Sequence, residues 1–330
     1  MTGVQTCALP ILASKSSDGS RDVAISSADG LDEKLVAGGS SLWIRSLAEF
    51  AGTFLVLIAL LGGTAWTLLT GLAPVYVAII AFISYALVMQ IFHSTSGAHL
   101  NPAITLAAGL TGRLQWLDVL AYVVAQLLGG FAAAATLMGL LHGLPSTLSV
   151  KPAEWWSVLS NSFGSADISD RLSVSVEFAI VIVFIGTVLV VAAALNATDK
   201  KGVASASYPV VTGLGYAVAT MLTVFFTGGG INPARSTAAA IIAIFEGDKT
   251  AISDLWVFWV VPLLAGAIVG LIDLLFRSQA TTTGAVSSSV QGKQAVVKDE
   301  KPSLSANRAE FEKAVQSDLS KKSDQGKQSR

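Results

Sequence analysis

The sequence predicts an all-α membrane protein, with six transmembrane helices plus two re-entrant half-helices in an inverted repeat. Three observations carry that expectation. Hydrophobic residues make up 52% of the 330 residues, charged residues only 13%, and the mean hydropathy is +0.64. Soluble domains carry about twice that charged fraction. Six apolar runs each reach the roughly 20 residues that a bilayer requires. The third observation is that the chain repeats itself.

The runs cover residues 46–70, 74–94, 115–141, 172–196, 205–227 and 254–277. Trp43, Trp155, Trp156, Trp256 and Trp259 fall near their ends, where indole rings favour the membrane interface. Residues 43–277 thus form one membrane domain, with halves 43–141 and 172–277. Residues 12–40 are rich in Ser, Asp, Gly and Ala, and residues 278–330 in Ser, Lys, Gln and Asp, so 1–42 and 278–330 read as disordered tails. Within the second tail, Asn307–Leu319 has the pattern of a short amphipathic helix. Residues 1–11, MTGVQTCALPI, resemble a translated sequencing adaptor and are set aside from fold reasoning. They contain Cys7, the single cysteine, so neither a disulfide framework nor a cysteine-ligated metal site is expected.

Two shorter helical stretches begin at Asn101 and Asn232 and run about ten residues each, half of what a span needs. Backbone that stops inside a membrane survives only when buried in protein or lining a water-filled cavity. The first spans of the two halves open as LAEFAGTF and SVEFAIVI, placing Glu49 and Glu177 in register. Glu49 precedes Asn101 by 52 residues and Glu177 precedes Asn232 by 55. Three spans per half is odd, so the halves cross in opposite senses and their sites meet near the midplane. Arg45, Arg113, Lys200, Lys201 and Arg277 fall on the side of the termini, which the positive-inside rule assigns to the cytoplasm.

Each half-helix opens with Asn-Pro-Ala: Asn101, Pro102, Ala103 and Asn232, Pro233, Ala234. Asn is a preferred N-cap and Pro suits the first helical position. One such triplet is only a helix start. Two, at matching places in an inverted repeat, bring two helix N-termini together, each carrying roughly half a positive charge. Cations and hydronium are repelled there, and two amide donors aimed at one oxygen interrupt a chain of waters. The preceding residues, Gly97, Ala98 and His99 with Gly228 and Gly230, can present a file of carbonyl oxygens to the pore. Arg235 lies in the second re-entrant segment, where a charge is costly and functional. Glu49 and Glu177 are placed to brace the two loops by accepting their backbone N–H groups.

The segments SGAHLNPAIT and TGGGINPARS resemble the paired signatures of the major intrinsic protein family, the aquaporins and glycerol facilitators. The resemblance covers about residues 43–277. It implies an aquaporin-like fold, a homotetramer with one pore per subunit, and a plasma-membrane location. By spacing from the two triplets it also implies a selectivity filter of Ala81, Thr220, Gly229 and Arg235, although a shift of one residue puts Phe82 in the first place. Strict water channels have an aromatic residue and a histidine at the first two positions, so small residues there imply a wider opening. Ser236, Ala240, Phe258 and Trp259 instead resemble the water-selective branch. The expected function is a passive water channel that excludes protons and ions and also passes small neutral solutes such as glycerol, urea or hydrogen peroxide. The alternatives are a primary glycerol facilitator, an inverted-repeat secondary transporter and a structural protein with a closed pore.

No enzyme, metal or cofactor is expected, because His93, His99 and His142 lack metal-ligand spacing. With a net charge of −1, nucleic acid is not an expected partner; the partners are the bilayer, water and small solutes. The loop 197–204 and the C-terminal tail are candidate gating segments. Gly266 and Gly270 suit close helix packing in the last span.

Overall fold

A computed structural model of the chain describes residues 40–145, 152–164, 173–277, 308–317 and 319. The adaptor-like stretch and most of both tails lie outside these residues. Six helices are long and apolar enough to cross a membrane. They are α1 (Leu42–Thr70), α2 (Val75–Ser96), α4 (Trp116–His142), α6 (Val176–Asn196), α7 (Tyr208–Thr227) and α9 (Thr250–Arg277). The half-helices are α3 (Pro102–Leu110) and α8 (Pro233–Phe245). A short helix that the sequence reading missed, α5 (Pro152–Leu159), lies between the halves.

Local chemistry sets where the spans stop. Helices α1, α2 and α7 each end on a left-handed glycine, Gly71, Gly97 and Gly228, whose N–H returns to a carbonyl of the last turn. Such a cap satisfies orphan carbonyls that lipid cannot. Buried hydroxyls of Thr64, Thr187, Thr223 and Thr227 bond back to carbonyls four residues earlier, so they enter the interior already paired.

Helix α1 packs on α2 and α4, α6 packs on α7, and α2 packs along α7, its counterpart in the other half. Helix α3 rests on α4 and α6, while α8 rests on α4 and α9. Close approach has a residue-level cause. A Cβ on Gly266 would lie 2.6 Å from the Ala103 carbonyl oxygen, so only glycine lets α9 lie against the start of α3. Gly270 faces the same helix one turn on, 3.5 Å from the Ala107 carbonyl oxygen. Rows of apolar side chains face outward, such as Ile79, Ile83, Leu87 and Ile91 on α2. Four-residue spacing puts them on one stripe of a helix that has no polar face.

The tryptophans divide. Trp43 and Trp256 are exposed at helix ends, in line with the interfacial expectation. Trp155 and Trp156 depart from it: both are buried, because α5 folds inward against α8 and α1 instead of lying along the membrane surface. The segment 308–317 is helical and exposed, within the amphipathic stretch read from the sequence.

Candidate functional site: a midplane pair of asparagine caps

Both Asn-Pro-Ala triplets cap their half-helices through the side chain. Asn101 Oδ1 accepts from the Ala103 N–H at 2.9 Å, and Asn232 Oδ1 accepts from the Ala234 N–H at 3.0 Å. Each amide nitrogen then crosses to the other half. Asn101 Nδ2 donates to the Ile231 carbonyl at 3.1 Å, and Asn232 Nδ2 donates to the Leu100 carbonyl at 2.8 Å. These reciprocal bonds tie the two loops together, with both asparagines almost wholly buried.

The loops are held by different means. In the first, Ala98 and Leu100 adopt positive φ of 47° and 52°, conformations that side-chain-bearing residues adopt only at a cost. The Glu49 carboxylate, fully buried on α1, opposes that cost. It accepts from the His99 N–H at 2.9 Å, the Leu100 N–H at 2.8 Å, the Ser96 hydroxyl at 2.7 Å and Gln126 Nε2 at 2.8 Å. Four donors offset the desolvation of one buried charge. His99 is buried, its ring in a T-shaped contact with that of Tyr122, and Gly97 stands beside it.

The second loop places glycines, Gly228 and Gly229, at its positive-φ positions (70° and 77°), so it carries no comparable strain. Glu177 does not brace it. That side chain is exposed at the start of α6, close to the Ser175 that caps the same helix. This corrects the symmetric pair of glutamates read from the sequence. The brace is Asn161, just after α5. Its Nδ2 donates to the Thr227 carbonyl at 2.8 Å, and its Oδ1 accepts from Arg235 and from the Ser236 hydroxyl, the latter at 2.8 Å. The sequence offered no signal for Asn161, since it has no counterpart in the first half.

Arg235 is buried on α8 and also donates to the Leu159 carbonyl at 3.3 Å. Both partners are neutral, and the guanidinium borders a cavity of about 370 Å³. The cavity opens at the end of the bundle where α1 passes to α2, lined by Thr64, Thr67, Leu72, Val77 and Gly228 among others. Thr220 and Gly229 stand together, since a Cβ on Gly229 would meet Thr220 Cγ2 at 3.8 Å. Ala81 is buried on α2. Gly230 lies tight against the Phe258 ring.

Three tyrosines that sequence reasoning passed over join this site. Tyr216 accepts from Asn101 Nδ2 at 2.9 Å, Tyr85 accepts from Asn232 Nδ2 at 3.0 Å, and the Tyr208 hydroxyl donates to the Ala98 carbonyl at 3.1 Å. A signal did exist. Tyr85 lies sixteen residues before Asn101, and Tyr216 lies sixteen before Asn232.

Two opposed half-helices, capped by asparagines that bond across the midplane inside six spans, match a known arrangement, and residues 38–273 match the Major intrinsic protein family. The chain belongs to that family. Among relatives, Aquaporin-1 of Pongo abelii is 35% identical over 191 residues, which span 58% of this chain and 63% of that one, under two thirds of its length. Aquaporin Z of Photorhabdus laumondii is 29% identical over 244 residues, 72% of this chain and 99% of that one. A solved structure, the aquaglyceroporin from Plasmodium falciparum, superposes with a TM-score of 0.58 at 22% identity, covering 70% of this chain and 95% of that chain. At that identity the likeness speaks to the fold. Major intrinsic proteins are channels, and among the described residues no group of His, Cys, Asp and Glu could hold a metal.

Proposed function

We propose that this major intrinsic protein is a passive channel for water that excludes protons and ions and also passes small neutral solutes such as glycerol, urea or hydrogen peroxide. The observation that carries the reading is the reciprocal pair of asparagine caps. Two half-helix N-termini meet there, each with roughly half a positive charge, and cations are repelled. Arg235, with neutral partners at the inner edge of the cavity, adds a full positive charge. The filter is assigned to Ala81, Thr220, Gly229 and Arg235. The carbonyls of Gly97, Ala98, His99, Gly228 and Gly230 form the polar file on either side of the caps. Glu49 holds the first loop. Two small residues, Ala81 and Thr220, favour the passage of solutes larger than water.

The relatives named above support the same reading, two being aquaporins and one an aquaglyceroporin. The working unit is a homotetramer in the plasma membrane, with both termini cytoplasmic. Arg45, Arg113 and Arg277 gather at the terminal end of the bundle, as the positive-inside rule asks.

Reconstituted vesicles test this in one preparation. Stopped-flow shrinkage is expected to be faster than in empty vesicles, with flux linear in the osmotic gradient and no proton leak. Saturable, ion-coupled flux would point to a transporter instead. Replacing Ala81→Phe together with Thr220→His is expected to reduce glycerol entry; unchanged entry would remove these two residues from the filter.

A further inference from the structure

We infer that the stacked pair Tyr85–Tyr216 is the size-selecting constriction of the pore, standing where a permeating molecule would bind the two asparagines. This rests on the channel reading above. An amide side chain has two N–H donors. In Asn101 one goes to the Ile231 carbonyl and the other to the Tyr216 hydroxyl. In Asn232 one goes to the Leu100 carbonyl and the other to the Tyr85 hydroxyl. Neither asparagine keeps a donor for passing water, so each tyrosine oxygen occupies the place of the water oxygen.

The rings close the same point. Their centroids lie 3.4 Å apart and their planes differ by 5°, so they are in contact across the axis between α2 and α7. Water, about 2.8 Å across, passes only when they separate or swing aside. The shared sixteen-residue offset from each asparagine makes the pair a feature of the inverted repeat, with one ring from each half.

The neighbouring residues place this constriction inside the pore. Ala81 and Thr220 each lie four residues from a pair member, one turn nearer the cavity, about 6 Å along the axis. One turn the other way on α7, Thr212 is buried, and its hydroxyl has no hydrogen-bond partner among the described residues. A further turn on, Tyr208 covers the Ala98 carbonyl. A molecule that passes the small filter residues therefore meets the two rings next. Beyond them it finds an unpaired hydroxyl able to bind it. The size limit is set by the tyrosines, and Ala81 and Thr220 admit from the cavity side what the rings then sort.

The test uses the full chain in vesicles, with incorporated protein quantified and water and glycerol fluxes measured for wild type, Tyr216→Val, Tyr85→Val and Tyr216→Phe. The valine variants remove a ring and return one amide donor to the pore. They are expected to raise water permeability per protein by roughly ten-fold and to admit glycerol faster. Tyr216→Phe keeps the ring but not its oxygen, so water flux should rise while glycerol entry stays at the wild-type rate. A wild type at the empty-vesicle rate beside conducting valine variants also supports the constriction. Valine variants that match a conducting wild type for both solutes overturn it and leave the channel reading standing. If every protein stays at the empty-vesicle rate, both fall. Should the valine variants fail to incorporate, Tyr216→Phe decides, and an unchanged water flux overturns the constriction.

Discussion

Residue by residue, the two loops solve one problem with different chemistry. The first has three backbone positions at positive φ ahead of its asparagine cap, Gly97, Ala98 and Leu100, and the second has two. Ala98 and Leu100 adopt that conformation in the first loop and need a carboxylate to hold them. Gly228 and Gly229 adopt it freely in the second, so a neutral amide suffices. Glu49→Gln is therefore expected to destabilise the protein by about 2–3 kcal/mol, because charge-assisted bonds are lost and an N–H group faces donors. Thermal unfolding in detergent measures it. Glu177→Gln is expected to leave the same transition within about 0.5 kcal/mol of wild type, since that side chain is exposed and takes no part in the loop. Asn161→Ala should free Arg235 from its anchor and loosen the turn at Thr227. A fall in water permeability at unchanged incorporation is the expected readout; wild-type flux would show that Arg235 holds its place through Leu159 alone.

At the scale of elements, packing depends on small residues where a half-helix meets a span. Gly266→Ala puts a methyl 2.6 Å from the Ala103 carbonyl oxygen, on backbone that cannot yield cheaply. It should cost about 1–3 kcal/mol, read as a lower unfolding temperature. The connection between α6 and α7 is likewise held. Arg113, buried at the end of α3, donates to the Leu195 and Asp199 carbonyls and pairs with Asp273 at 2.8 Å. Asp199 accepts from the Lys201 and Val203 N–H groups at 2.8 Å each. The Val203 backbone bond is the first of the causes that hold the Asp199 carboxyl below the usual carboxylate range. A depressed folded pKa means that this support is present above the ordinary value and is lost as pH falls through the folded one. Amide exchange at Val203 should therefore accelerate on acidification relative to its intrinsic rate. At neutral pH, Asp199→Asn should speed tryptic cleavage after Lys200 and Lys201. A cleavage rate equal to wild type would show that Arg113 alone holds the loop.

Over the whole molecule, the inverted repeat puts its counterparts face to face. Helices α2 and α7 meet along their length, so whatever stands sixteen residues before each asparagine is duplicated across the axis. Here it is a tyrosine, and the duplication yields a stacked pair in which each hydroxyl accepts from the asparagine of the other half's loop. The two halves are not equal elsewhere. The segment between them supplies α5 and Asn161 to the second loop only.

Much of this was legible in the chain itself. Apolar runs of membrane length mark the spans, because lipid leaves backbone no other partner. Asn-Pro-Ala marks the half-helix starts, because capping is local chemistry. Glycine after Thr70, Ser96 and Thr227 marks where spans end. Those features depend on a few neighbouring residues or on composition, so they can be read without the fold. Tertiary structure alone decided which donors reach which acceptors: Glu49 and not Glu177, Asn161 from outside both repeats, and tyrosine oxygens on both asparagine amides. Such contacts join residues 50 to 147 positions apart, and a single chain records no pairing at that distance.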